Sequence, residues 1–296
     1  MRDEVVTAVE TALRRPVRLA HGWLGLALIA VAWPLNWLLA GPRTHLLFFP
    51  LWLGYVLVVD ALVLRRTGRS MATSEPRRFA ALFVVSIPLW WIFELLNERT
   101  RNWQYLGAEL FSDLEYALLA SVAFSTVIPA VLETAELVSS FRWMKRVSDG
   151  PRLPGEGAFE FVLFGAGLGM LGLVVARPEA FYPFLWGALY AIVEPINVRL
   201  GRPNLLSGLH RGDWRPLVAL SVGALICGFF WEMWNYFSYP KWVYRTPGVE
   251  FLHVFEMPLL GYIGYLPFAW EVYAFVHLVM PSPPRLRLDA SHVTAV

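Results

Sequence analysis

Cysteine is nearly absent from this chain of 296 residues, which contains only Cys227. A single cysteine excludes an intramolecular disulfide and a metal site built on several cysteines. Charged residues make up only 16% of the chain, and the net charge is +2, so we expect no nucleic-acid partner. HExxH, GxSxG and phosphate-loop motifs are also missing, which removes three common catalytic chemistries.

Apolar residues dominate what is present. Hydrophobic residues make up 57% of the chain, which is too many for a soluble domain of this length. A window of 18 apolar residues or more is long enough to cross ~30 Å of hydrocarbon. We therefore predict an all-α integral membrane protein with eight transmembrane helices, near 19–40, 45–64, 79–97, 114–140, 158–176, 181–200, 216–237 and 251–280.

The basic residues predict how these helices are oriented, because Lys and Arg accumulate in cytoplasmic loops. With a cytoplasmic N-terminus, most of the 25 basic residues fall in inner loops, and the outer loops hold only Arg43, Arg99, Arg101, Arg177, Lys241 and Arg245. Residues 1–18 lack the apolar region and cleavage site of a signal peptide, so we expect a retained cytoplasmic interfacial helix. The prediction is a multi-pass protein of the cytoplasmic (inner) membrane with both termini inside.

Two stretches of the sequence resemble each other. FELLNERTRNWQY, from Phe93, and WEMWNYFSYPKWVY, from Trp231, each place an asparagine three residues after a glutamate and then carry a W-x-Y triplet. The match extends to four predicted helices on each side, so we divide the chain into a cytoplasmic segment 1–18, a first repeat 19–140, a linker 141–157, a second repeat 158–280 and a tail 281–296. Repeats with an even number of helices run parallel, about a pseudo-two-fold axis along the membrane normal.

Ionisable residues inside membrane spans are costly and therefore mark functional candidates. The repeat pairs Asp60 with Glu194, Glu94 with Glu232, and Glu133 with Glu271. Pro129 and Pro267 precede the last pair by one turn, and we expect them to kink their helices and turn these two glutamates inward. The predicted catalytic residues are Glu133, Glu271, Glu94 and Glu232, with Asp60 and Glu194 as secondary candidates.

Each pair also has a purely structural interpretation. Glu94 and Glu232 would reach the outer interface, the asparagines one turn beyond them would cap helix ends, and the aromatic residues would form an ordinary interfacial belt. Asp60 and Glu194 would pair with arginines of the inner loops. Under the functional interpretation, a substrate is bound by Asn97, Asn235, Trp103, Trp242, Tyr105, Tyr244 and Trp231.

Carboxylates among aromatic rings suit a reaction with a carbocation-like intermediate. One glutamate protonates a C=C bond, ring faces stabilise the cation, and a second carboxylate removes a proton. Di-iron proteins use Glu-x-x-His, whereas the residue three positions after Glu94 and Glu232 is asparagine, a poor iron ligand. We predict no cofactor, although the pattern leaves room for a hard divalent cation such as Mg²⁺ or Ca²⁺.

The second copy resembles the lycopene cyclase domain of bacteria, archaea and fungi. The resemblance lies in Asn235, Tyr236, Trp242, Tyr244, Gly248, Pro267 and Glu271. It implies a small duplicated membrane domain that cyclises a carotenoid end group without redox change. The chain departs from that pattern where Asn235 replaces an acid, and where PAVLE and PFAWE replace a P-x-E-E motif.

Three functions follow as hypotheses. The first is a membrane enzyme that cyclises or isomerises an isoprenoid or carotenoid-like lipid, with Glu133 and Glu271 as acid or base and Glu94, Asn97, Glu232 and Asn235 orienting or sharing a proton. The second is a proton or cation transporter or channel with carboxylates along the pseudo-two-fold axis. The third is a non-catalytic lipid- or pigment-binding subunit. The sequence is compatible with a homo-oligomer and with a partner in a membrane complex.

Overall fold

A computed structural model describes residues 19–39, 41, 45–154 and 157–288. The prediction for residues 1–18 lies outside this part of the chain. The described residues are mostly helical, and their α-helices are α1 (Ala20–Leu38), α2 (His45–Thr67), α3 (Met71–Ser74), α4 (Pro76–Thr100), α5 (Asp113–Phe124), α6 (Val127–Ser139), α7 (Ala158–Ala176), α8 (Pro178–Phe181), α9 (Leu185–Arg199), α10 (Leu206–His210), α11 (Arg215–Tyr236) and α12 (Tyr265–Val279).

Six described helical segments are long and apolar enough to cross a membrane. They are α2, α4, α5 with α6, α7, α11, and Leu259–Val279, which contains α12. These segments indicate a multi-pass membrane protein and confirm the mostly helical fold. Helices α1 and α9 occupy the other two predicted spans, and α9 has 15 residues.

Small residues bring two pairs of helices into close contact. A Cβ added at Gly25 of α1 would lie 2.6 Å from the carbonyl oxygen of Gly54 in α2. Likewise, a Cβ at Gly167 of α7 would lie 2.9 Å from Cβ of Ala191 in α9. Helices in lipid associate largely through such close backbone packing, because hydrocarbon offers them no hydrophobic driving force. Both contacts therefore depend on glycine.

Both predicted helices that carry a matched proline depart from the prediction shortly before that proline. The 114–140 helix is interrupted at Ser125 and Thr126, and Pro129 lies in the first turn of α6. The 251–280 helix starts with a 3-10 turn, Leu259–Gly264, and Pro267 lies in the first turn of α12. Proline is tolerated in a first turn, where its missing N–H has no intrahelical partner to lose. The prolines thus follow helix breaks instead of kinking continuous helices.

Two short sheets lie outside the helices and were not predicted. Strands β1 (Trp103–Leu106) and β2 (Lys241–Tyr244) are antiparallel, with Trp103 opposite Tyr244 and Tyr105 opposite Trp242. Strands β3 (His253–Val254) and β4 (Met257–Pro258) form a second pair. The prediction of helix from residue 251 is wrong for 251–258, because these residues form a loop with that strand pair.

The linker and the tail both pack onto the helices. The linker forms a 3-10 segment, Arg142–Val147, and its Gly150 N–H donates to the carbonyl oxygen of Gly212 at 2.8 Å. In the tail, Arg287 Nε donates to Glu136 Oε1 at 3.1 Å, and the Arg287 carbonyl oxygen accepts from Ser139 Oγ at 2.6 Å. The described part of the tail, 281–288, therefore folds back against α6.

Candidate active site

The site begins where α4 and α11 end, because each helix is followed closely by a strand of the β1–β2 pair. Asn97 Nδ2 donates to the carbonyl oxygen of Trp103 at 2.9 Å, and its Oδ1 accepts from the N–H groups of Asn102 at 2.9 Å and Trp103 at 3.2 Å. Asn235 bonds both backbone groups of Trp242 in the same way, at 2.8 and 2.9 Å. Each asparagine thus clamps a strand to its helix, which differs from the predicted contact with substrate.

Glu94 stands one turn before the first asparagine and receives three hydrogen bonds on one oxygen. Its Oε1 accepts from Trp90 Nε1 at 2.7 Å, from Trp103 Nε1 at 3.1 Å and from Tyr105 Oη at 2.6 Å. Bonds from several donors to one carboxylate are short and strong because they are charge-assisted. The strand β1 therefore supplies two of the three groups that hold Glu94.

Glu232 is the fully buried counterpart on α11. Its Oε1 accepts from Tyr244 Oη at 2.7 Å and from Tyr265 Oη at 2.8 Å. The position that corresponds to Trp90 is Gly228, where an added Cβ would lie 2.5 Å from the ring of Tyr265. Tyr265 of α12 therefore fills the space left by the missing side chain and bonds to the glutamate in its place.

Between the two glutamate clusters lies a cavity of about 470 Å³. Its polar lining includes the hydroxyl-bearing rings Tyr105, Tyr244 and Tyr265, which contact the glutamates. Phe268, which is 1% exposed, makes ring contacts with Trp90, Phe93, Trp186 and Trp231. The aromatic lining consists of Phe48, Trp90, Trp103, Tyr105, Phe111, Tyr116, Phe124, Tyr182, Trp186, Trp231, Trp242, Tyr244, Tyr265 and Phe268.

Two of the lining tyrosines belong to the strands and are strong hydrogen-bond donors. Burial raises the pKa of Tyr105 well above its ordinary value, and the nearby Glu94 charge raises it further. Burial and Glu232 act in the same way on the pKa of Tyr244. Both phenols therefore stay protonated at neutral pH and donate hydrogen bonds to the glutamates.

None of the four predicted catalytic glutamates is among the lining residues of this cavity in the described part of the chain, and only Glu94 and Glu232 bond to tyrosines that line it. Glu271 is 2% exposed and accepts a bond from the Tyr190 N–H of α9 at 3.4 Å. Glu133 is fully buried in α6, close to Asp60 and Glu136. The structure therefore brings Glu94 and Glu232 together with four predicted site residues on the strands, Trp103, Trp242, Tyr105 and Tyr244. Glu133 and Glu271 lie apart from this group.

The secondary candidates hold loops in place. Asp60 accepts from Ser70 Oγ at 2.7 Å and from the Ala72 N–H at 2.9 Å, and lies 2.9 Å from His21 Nε2. Glu194 accepts from the Leu206 N–H at 2.9 Å and also from the Leu205 N–H. These acids bond the first residues of the short helices α3 and α10. The suggested pairing with loop arginines is replaced by these bonds.

Sequence reasoning missed three residues of the site. Trp90 lies one helical turn before Glu94, so its spacing was a usable signal. Tyr265 was overlooked because its counterpart in the first copy is Val127, so the comparison of copies gave no match. Phe268 looked like any apolar residue of a membrane helix. Trp231, which was predicted, lines the cavity and stacks on Tyr265 with ring centroids 6.0 Å apart.

The described residues contain no group of three or more His, Cys, Asp or Glu side chains arranged to hold a metal ion. The fold and this site together define a multi-pass helical membrane protein with an aromatic cavity between two glutamate clusters. No protein-family model, curated protein or solved structure matches the chain.

Proposed function

We propose that the chain consists of two parallel four-helix repeats with eight spans and both termini in the cytoplasm. The register of β1 and β2 supports this. Trp103 pairs with Tyr244 and Tyr105 pairs with Trp242, so the two strands place matched residues in equivalent positions. A two-fold axis through the Gln104–Val243 pair has this effect. The matched clamps made by Asn97 and Asn235 are a second support.

The same protein is proposed to be an enzyme that cyclises or isomerises an isoprenoid or carotenoid-like lipid. One observation carries the proposal: an aromatic cavity of about 470 Å³ has a hydrogen-bonded glutamate behind its wall on each side. Pockets of ~300–1,000 Å³ with apolar walls and a few fixed polar groups are typical of small-molecule sites. Ring faces attract cations, and carboxyl groups transfer protons.

The reaction needs no oxidant or reductant. A glutamic acid gives its proton to one carbon of a substrate C=C bond, whose electron pair forms the new C–H bond and leaves a cation on the other carbon. A second C=C bond then attacks that cation and closes a ring. A carboxylate removes a neighbouring proton, and the electron pair of that C–H bond becomes the product C=C bond. Since they bond to tyrosines that line the cavity, Glu94 and Glu232 replace Glu133 and Glu271 as our first choice for these roles.

The ring contacts favour this function over conduction of ions. Phe93 and Phe268 are almost fully buried where α4 meets α12, and Trp231 contacts Phe268 from α11. A conducting path needs polar groups or water at close intervals. Apolar rings at the inner side of the cavity instead suit retention of an apolar substrate. A protein that binds lipid without converting it is the remaining alternative, and the experiment below distinguishes it.

The test is turnover by the full-length protein in phosphatidylcholine vesicles supplied with an acyclic polyprene, such as lycopene. Mass spectrometry with chromatographic separation detects a product of unchanged mass. We expect Glu232→Gln and Glu94→Gln each to lower turnover by about 10²–10⁴-fold, the usual contribution of acid–base catalysis. Glu98→Gln is the matched control, because Glu98 is an exposed carboxylate on the same helix as Glu94.

The outcomes separate the three functions. Conversion by the wild type and by Glu98→Gln, with loss in the two cavity variants, supports an enzyme. A polyprene that co-purifies with the protein but is never converted supports a binding subunit. Proton or cation flux that depends on Glu94 and Glu232, in vesicles that convert no polyprene, would replace the enzyme with a transporter.

A further inference from the structure

The proposed reaction needs one acid that gives a proton and one carboxylate that takes it. The two glutamates at the cavity differ in the groups that surround them. We propose that Glu232, acting with Tyr265 and Tyr244, supplies the proton, and that Glu94 stays a carboxylate and receives the proton at the end. This inference rests on the proposed function and adds a division of roles and a new site residue, Tyr265.

The environment of Glu94 favours its charged form. Two of its three donors are the indole N–H groups of Trp90 and Trp103, which donate hydrogen bonds and cannot accept them. Such bonds are stronger to a carboxylate than to a neutral carboxyl group, and they cannot carry a proton onward. The side chain is also only partly buried. Glu94 is therefore suited to remain an anion beside a developing cation.

The environment of Glu232 differs in its burial and in the balance of its donors, although the Trp242 indole lies near it as the Trp103 indole lies near Glu94. The side chain is fully buried, where a charge costs more than a neutral group. The two groups that bond to its Oε1, Tyr244 and Tyr265, are phenols, and a phenol hydroxyl both donates and accepts. When one of these phenols turns its hydroxyl proton toward the cavity, its oxygen can accept the proton of a neutral Glu232 as the phenol releases its own proton into the cavity.

Tyr265 is the residue that creates this difference. Its ring occupies the space above Gly228, and the matched position in the first half holds Trp90. The ring also stacks on Trp231 and lines the cavity. A phenol with access to substrate therefore stands in the second half where an indole stands in the first.

Other ionisable groups near the two carboxyls are few in the described chain. Tyr262 and the acid Glu256 lie near Glu232, and Glu256 forms an ion pair with Lys241 in the outer loop. On the other side, Tyr116 lies near Glu94. Among the contacts of the described residues, no basic side chain bonds to either carboxyl group. Hydrogen bonds and burial therefore determine which of the two groups carries the charge.

In one cycle the proton of Glu232 moves through a tyrosine hydroxyl to a carbon of the substrate C=C bond. The resulting cation faces the ring walls, behind which the Glu94 carboxylate accepts a hydrogen bond from Tyr105. The Tyr105 oxygen then takes a proton from a neighbouring carbon while its own proton passes to Glu94, and the electron pair of that C–H bond forms the product C=C bond. Water returns the proton from Glu94 to Glu232 after release. Atoms and electrons balance, and the product is an isomer of the substrate.

Infrared spectroscopy of the full-length protein in phosphatidylcholine vesicles at pH 7, without substrate, tests this assignment. Protonated carboxyl groups absorb in a region separate from carboxylates. We expect Glu232→Gln to remove one carboxylic acid band and Glu94→Gln to remove a carboxylate band. Tyr265→Phe is expected to shift the acid band, because one hydrogen bond to that group is lost, whereas Trp90→Phe is expected to leave the band unshifted.

Loss of the acid band in Glu94→Gln, or its persistence in Glu232→Gln, would overturn the assignment. If Glu232→Gln does not fold, the Tyr265→Phe and Trp90→Phe spectra decide, and a band that shifts only with Trp90→Phe is the contradicting result. The spectra need no substrate. Failure to convert a polyprene while the bands behave as expected therefore removes the proposed function and leaves the two charge states standing.

Discussion

The two halves of the site share one plan and differ in the groups that bond to the glutamate. In each half an asparagine clamps a strand, and a strand tyrosine bonds to a glutamate. The first half then adds Trp90 from the glutamate's own helix, whereas the second has Gly228 there and adds Tyr265 from α12. The space beside the glutamate is filled in both halves, but by side chains from different helices. Two similar arrangements of asparagine, tyrosine and glutamate can thus form chemically different sites.

The largest effect on stability is expected from the asparagine clamps. Asn235→Ala and Asn97→Ala each leave buried backbone groups of a strand without partners, which we expect to lower the free energy of unfolding by about 2–4 kcal/mol. Thermal unfolding of the purified protein measures this loss. Asn235→Asp keeps the acceptor and is expected to lose less. If one alanine variant melts like the wild type, the two halves are not held in the same way.

A smaller effect is expected where the halves differ. Gly228→Ala forces the ring of Tyr265 to move, because the new Cβ would lie 2.5 Å from it, at a cost of about 1–3 kcal/mol. Adding Tyr265→Val, the residue found at the matched position Val127, is expected to recover part of that loss. Gly169→Ala on α7 is the control, because nothing lies within 4 Å of its Cβ position. If the double variant is less stable than Gly228→Ala alone, Tyr265 does not simply fill the space above Gly228.

The smallest effect at neutral pH is expected from the strand phenols. The pKa values of Tyr105 and Tyr244 are raised in the folded protein, so their stabilising contribution is complete below the ordinary tyrosine pKa of ~10 and is lost as the pH rises above it. The melting temperature is therefore expected to fall above about pH 10. The double variant Tyr105→Phe with Tyr244→Phe is expected to flatten that fall. An unchanged slope would show that these phenols are not the groups that titrate.

Much of the helical architecture was predictable from the apolar windows of the sequence. Apolar windows located the helices because each span must cover the hydrocarbon thickness, and the matched Glu-x-x-Asn spacing singled out the residues around Glu94 and Glu232. The strand pair was not predictable, since β1 and β2 have four residues each and lie far apart in the chain. Register between distant short strands is set by the helices that bring them together.

The roles of individual polar residues were harder to predict. Asp60 bonds to Ser70 and Ala72 because the chain turns back within one loop, and no residue pattern shows such a turn. Asn97 and Asn235 were expected to bind substrate, yet their partners are backbone atoms. Tyr265 was not predictable from residues shared by the two stretches, because the matched position holds Val127 and the site depends there on a difference.

The central claim is that both halves face one cavity for an apolar isoprenoid. Photolabelling the full-length protein in vesicles with a polyprene that carries a diazirine, followed by peptide mass spectrometry, tests this most directly. The account predicts label on cavity residues from both halves, such as Tyr105 and Tyr265, with excess unlabelled polyprene preventing it. Label confined to exposed residues on the outside of the helices, such as Trp23 on α1 or Phe161 on α7, would contradict it.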